Sequence, residues 1–163
     1  MSTTFNFRPF KAASVVALVL FAIPAIAIAG TGSSTRANLA GQSGYCRGFA
    51  EPGSPALGKV QLYTGSAATA GFHDVRVDIK LNPGKLSAGT YDVYLVNLYR
   101  DGTGQVVGCS ASPLSSAMTV EGNGQTDFHA TATRYTGEYE LQVYVGPIGG
   151  PGYATAPATV DVP

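Results

Sequence analysis

The chain has 163 residues, of which only 12% are charged, with ten basic side chains balanced by ten acidic ones. That is about half the usual charged fraction, and a formal net charge of zero leaves no electrostatic footprint for nucleic acid or an acidic membrane surface. Twenty-one glycines and ten prolines favour turns and strands over helix, in a length that suits one domain.

Arg8 and Lys11 are the only charges before Arg36, and an apolar block runs behind them from Ala12 to Ile28. The block ends in Ala27-Ile28-Ala29, a small-x-small pattern followed by Gly30. A positive start, an apolar middle and a small-residue end make residues 1–29 a secretory signal peptide, cut after Ala29. Pro24 breaks the helix ahead of the cut, where extended chain is needed. The rival reading is an uncleaved anchor, since the block approaches the length that spans a bilayer. Cleavage removes two cations and leaves a mildly acidic mature chain with no second long apolar stretch, hence no membrane association.

Residues 30–57 are rich in Gly, Ser and Ala with Pro52 and Pro55, and show no sustained period. They read as a flexible N-terminal arm ahead of a domain over 58–163. Cys46 lies in this arm, and Cys109 is the chain's other cysteine. An isolated pair in an oxidising compartment makes one disulfide. It would close a loop of about 64 residues, worth roughly 4 kcal/mol by chain entropy. The bond would order the backbone near Tyr45–Phe49 and leave residues 30–40 loose. A redox or metal role is less favoured, because no Cys-x-x-Cys spacing is present.

From Lys59 the chain turns to short alternating runs. Val60, Leu62 and Thr64 alternate with Gln61 and Tyr63; Val75, Val77, Ile79 and Leu81 alternate with Asp74, Arg76, Asp78 and Lys80. The second run is the clearest half-buried strand, stopped by the Asn82-Pro83-Gly84 turn. Gly89–Arg100 contains Val93-Tyr94-Leu95-Val96, apolar on both parities, as a central strand requires. Asp101-Gly102 signals a hairpin into Gln105–Cys109. Further strands are expected at Met118–Val120, after Gly122-Asn123-Gly124 at Thr126–Tyr135, at Tyr139–Val145, and in a last run with Ala158, Val160 and Val162. About seven to eight antiparallel strands with Gly-rich turns predict an all-β sandwich.

Gly89-Thr90-Tyr91-Asp92-Val93 is echoed by Gly137-Glu138-Tyr139-Glu140-Leu141, a glycine turn followed by a tyrosine at the edge of the core. The run Val77–Val96, with its Asn-Pro-Gly turn and Gly-Thr-Tyr-Asp-Val strand entry, resembles bacterial extracellular immunoglobulin-like sandwich modules. The resemblance implies an immunoglobulin-like β-sandwich and leaves function open.

Candidate chemistry is sparse. His73 and His129 are the only histidines, and they are weak candidates for a metal site because convergent partners are missing. His73 shares parity with Val75 and Val77, at the rim of the buried face, whereas His129 shares parity with Thr131 and Thr133. Asp74, Asp78, Asp92, Glu138 and Glu140 read as solubilising strand residues, with Arg76, Lys80 and Arg100 as nearby opposite charges. The Asp101–Gly104 loop reads as a turn rather than a calcium loop. No Gly-x-Ser-x-Gly, Gly-x-Gly-x-x-Gly or phosphate-loop pattern occurs. Tyr63, Tyr94 and Tyr144 fall on the more polar parities and are expected to form an exposed binding surface.

The expectation is therefore a secreted, extracellular or periplasmic, non-catalytic protein for binding or assembly at the cell surface. Its partner would be an unidentified protein or surface ligand, or a second copy through self-association, and it would need no cofactor. A metal or small-ligand binding protein is the alternative, and a secreted enzyme the second.

Overall fold

A computed structural model describes residues 34–47, 53–69, 71–147 and 151–163, without the side chains of 66–69. The expected signal peptide lies outside these residues. The described residues contain no helix. Their strands in chain order are β1 (Ser34–Gln42), β2 (Gly58–Thr69), β3 (Phe72–Leu81), β4 (Gly89–Tyr91), β5 (Val93–Arg100) and β6 (Val106–Pro113). After these come β7 (Met118–Val120), β8 (Asp127–Tyr135), β9 (Gly137–Val145), β10 (Gly152–Thr155) and β11 (Ala158–Val162). Each pairing is antiparallel.

Nine of the strands form one curled sheet in the order β6-β5-β9-β10-β1-β2-β3-β8, with β11 also on β9. β4 and β7 make a separate two-stranded sheet. The curl comes from two strands that change partners along their length. β1 pairs with β2 through Ser34–Leu39 and with β10 through Leu39–Gln42. β9 holds β11 through Gly137–Leu141, then β10 at Tyr144 and Val145, while Leu141–Val145 also carries β5. Such switching strands turn the corner of a folded-over sheet.

β1 corrects the reading of 30–57 as a flexible arm with residues 30–40 loose. Its described part is a paired strand inside the sheet, with Leu39 and Ala40 buried. Leu39 is the only large apolar residue in β1, and Ala37 and Gly41 make the alternation too faint to read. Pairing first with β2 and then with β10 holds the backbone in a strand without a strong hydrophobic period. β10 is likewise additional to the expected strands, and the single strand expected over Gly89–Arg100 is split at Asp92 into β4 and β5, which belong to different sheets. Residues 48–52 of the arm lie outside the described set.

The alternating runs do build the core. Val60, Leu62, Val75, Val77 and Ile79 face Leu95, Leu141 and Val143 in one cluster, closed by Phe128, Met118 and Val160. Gly58 sits where β1, β2 and β3 cross. A β-carbon there would meet the Lys80 carbonyl oxygen and come within 2.8 Å of Leu81 Cα. The Asn82–Gly84 and Gly122–Gly124 turns lean on one another through Gly84 N–H donating to the Asn123 carbonyl at 3.1 Å. Gly124 has a φ of +74° and no room for a side chain against Gly84.

A second, smaller cluster lies on the other face of β5 and β9, where Val96, Leu98, Tyr144 and Ala154 pack with Tyr45 and Cys109. Cys46 and Cys109 are disulfide-bonded with Cα atoms 5.6 Å apart, holding the segment after β1 close to β6. Burial on both faces of β9 overturns the expectation that Tyr144 is exposed: Tyr144 and its strand neighbour Gln142 are both fully buried. Gln142 donates from Nε2 to the Thr155 carbonyl at 2.8 Å, and Thr155 Oγ1 accepts from Val143 N–H at 3.1 Å.

Candidate polar groove on the outer face

With Val60, Val75, Val77, Ile79, Phe128 and Ala130 committed to the core, the opposite parity of β2, β3 and β8 faces outward. Register then aligns these residues across four strands. Arg36, Gln61, Asp78 and His129 stand directly opposite one another in one row. Asn38, Lys59, Lys80 and Asp127 form the next. The two rows border a groove of about 520 Å³ rimmed by Asn82, Pro83 and Gln125.

The first row is hydrogen-bonded within itself. Arg36 Nε donates to Gln61 Oε1 at 3.1 Å. Asp78 Oδ1 accepts from Arg76 Nε at 2.7 Å and lies 2.8 Å from His129 Nδ1, which places the imidazole proton on Nδ1. His129 Nε2 faces Asp127 Oδ1 at 3.7 Å. Burial disfavours the charged form of Asp78, but hydrogen bonds from Arg76 and His129 outweigh it and hold the carboxyl below its ordinary value of 3.8. Arg76 also lies over the Tyr63 ring, 5.6 Å from its centroid.

The second row is different. Lys59 and Lys80 face each other across β2 and β3, both exposed. Among the described residues neither has an ion-pair partner. Like charges directly opposite on neighbouring strands repel. Together with Arg36 they place three cations on three adjacent strands beside one groove.

The three tyrosines do not form a platform. Tyr94 and Tyr144 are direct neighbours on β5 and β9, with ring centroids 6.5 Å apart. Tyr144 is fully buried, with Tyr45 packed against it at 6.1 Å, and burial raises its hydroxyl pKa above the ordinary 10.0. Tyr63 lies on the outer face beside Arg76, outside the lining of the groove. The surroundings of Tyr144 depend on the disulfide-held segment and on strand register, neither of which parity reports.

His73 and His129 lie on opposite faces of the sheet. His73 is 9% exposed on the inner face, while His129 stands outside opposite Asp78. No group of three or more His, Cys, Asp or Glu side chains gathers among the described residues. Arg100 forms two hydrogen bonds to Glu140 at 2.5 and 2.6 Å. Asp101 Oδ1 accepts from the Thr103 hydroxyl at 2.6 Å and from the Thr103 and Gln105 N–H groups. These bonds make the loop a hairpin turn and hold Asp101 below the ordinary carboxylate value. Sequence reasoning singled out Asp78 and Lys80 as strand charges, but missed Arg36, Lys59 and Gln61 as their row partners. Outward parity on β2 was the available signal. No protein-family model, curated protein or solved structure matches this chain.

Proposed function

We propose that this is an exported, non-catalytic immunoglobulin-like sandwich that binds a ligand through the outer face of β1, β2, β3 and β8. Strand order supports the architecture: β2-β3-β8 stands in the place of strands A-B-E, and β5-β9-β11 in that of C-F-G. So does Tyr139, whose hydroxyl donates to the Tyr135 carbonyl at 3.0 Å at the start of β9, the position of a tyrosine corner. Tyr91 repeats the device, donating to the Ser87 carbonyl at 2.9 Å. The Cys46–Cys109 bond is compatible with an extracellular or periplasmic location. It does not join the two halves through B and F, as the antibody disulfide does.

The observation that carries the binding reading is the groove itself. Polar side chains on four adjacent strands line one concavity, and strands hold a site more rigidly than loops do. Asp78 is engaged by Arg76 and His129 in bonds that fix shape. N-terminal sequencing of exported protein should begin at Gly30. Amide chemical-shift mapping with neutral glycans, acidic glycans and peptides should show perturbation clustered on Arg36, Gln61, Asp78 and His129. Perturbation confined to the β5–β9 face would refute the site.

A further inference from the structure

We infer that the groove takes an acidic polysaccharide, the anionic groups of successive sugars seating on Arg36, Lys59 and Lys80; this rests on the binding reading above. The facing lysine pair is the starting point. Lys59 and Lys80 sit at paired positions on adjacent strands, so their stems rise side by side and their ammonium groups have no carboxylate between them. Arg36 lies on the next strand, one row away, with Nε on Gln61 and, among the described residues, no carboxylate paired with its remaining donors. Asp78 is ion-paired with Arg76 and bonded to His129, and Asp127, opposite Lys80 on β8, faces His129 Nε2 at 3.7 Å. The cationic side is thus β1 and β2, extending onto Lys80.

Geometry favours a chain over a single ion. Lys59 and Lys80, paired on adjacent strands, are separated at the backbone by about 5 Å, the inter-strand distance, which is close to the length of one hexose residue. Arg36 lies diagonally from Lys59 at about 7–8 Å. A chain lying across the strands would present one anionic group to each. The lining favours sugar over base or peptide. Among the described residues no tyrosine or phenylalanine borders the groove, so nucleic acid has no stacking platform there beyond the His129 ring. Lysine and arginine stems with Pro83 offer the aliphatic surface on which a sugar ring can rest.

The test uses the exported, disulfide-bonded protein and calorimetric titration with a short oligogalacturonate, its fully methyl-esterified form and a sulfated oligosaccharide. Two further arms are a polyglutamate peptide and a single-stranded oligonucleotide. The oligogalacturonate should bind and its ester should not; whether the sulfated chain binds more tightly assigns sulfate or carboxylate as the anion. Lys59→Gln or Lys80→Gln should each weaken binding roughly tenfold, the loss of one charge-assisted hydrogen bond. Lys80→Glu separates ligand binding from folding. It should abolish binding while leaving the melting midpoint within a few degrees of the wild type, because repulsion from Lys59 across β2 and β3 becomes attraction while a like-charge pair forms with Asp127 across β3 and β8. Equal affinity for the ester, or tighter binding of peptide or oligonucleotide at these residues, would overturn the ligand class while leaving the groove as the site. Failure of every probe to bind would sink both readings.

Discussion

Breaking the Cys46–Cys109 bond by a Cys46→Ser/Cys109→Ser double substitution tests how the segment after β1 is held. The two cysteines are 63 positions apart. Closing a loop of that length in the unfolded chain contributes about 4 kcal/mol by chain entropy. For a domain of this size that corresponds to a fall of roughly 10–20 °C in melting midpoint. The structure adds a local consequence. Tyr45, next to Cys46, packs over Tyr144, whose hydroxyl pKa is raised by burial. Without the bond, this cover lifts and the Tyr144 hydroxyl should titrate nearer the ordinary 10.0. Urea unfolding followed by tyrosine fluorescence gives the stability difference, and the chain has no tryptophan to mask that signal. Spectrophotometric titration of the tyrosines gives the second readout. Coincident unfolding midpoints, with Tyr144 still titrating above its ordinary value, would refute the claim that the bond holds this cover in place.

Gly58→Ala should destabilise by about 1–3 kcal/mol, since the added carbon meets Lys80 and Leu81 backbone that cannot move independently; thermal melting measures it, and an unchanged midpoint would contradict the close approach. Tyr139→Phe removes the bond to the Tyr135 carbonyl and should cost about 1 kcal/mol; chemical denaturation against the wild type checks this, and a neutral result would argue against a tyrosine corner. Asp78 is held below its ordinary 3.8, so its contribution is present above that pH and is lost as pH falls through the lowered value. The stability gap between wild type and Asp78→Asn, about 1 kcal/mol or less for so exposed a pair, should therefore close in acid; a gap that widens below pH 3.8 would contradict the assigned sign.

Alternation is a local property, and it was enough to identify the core strands. Val75, Val77 and Ile79 point inward because every second residue of a strand faces one side, whatever the strand's neighbours are. The turn at Asn82-Pro83-Gly84, the Asp101-Gly102 hairpin and the Gly-x-Tyr entries were equally legible, because each is settled by a few consecutive residues. The disulfide followed from there being only two cysteines. β1 was not legible: one leucine among small and polar residues carries little period, and its strand conformation depends on β2 and β10 pairing to either side. Nor was the burial of Tyr144 and Gln142, since a polar parity stays exposed only while nothing covers that face, and here β9 is covered on both sides. The groove was decided last. Lys59 and Lys80, or Asp78 and His129, are far apart in sequence and meet only when antiparallel register places them opposite one another. A shift of one residue would send those side chains to the core face, so tertiary pairing alone determines which charges share a surface.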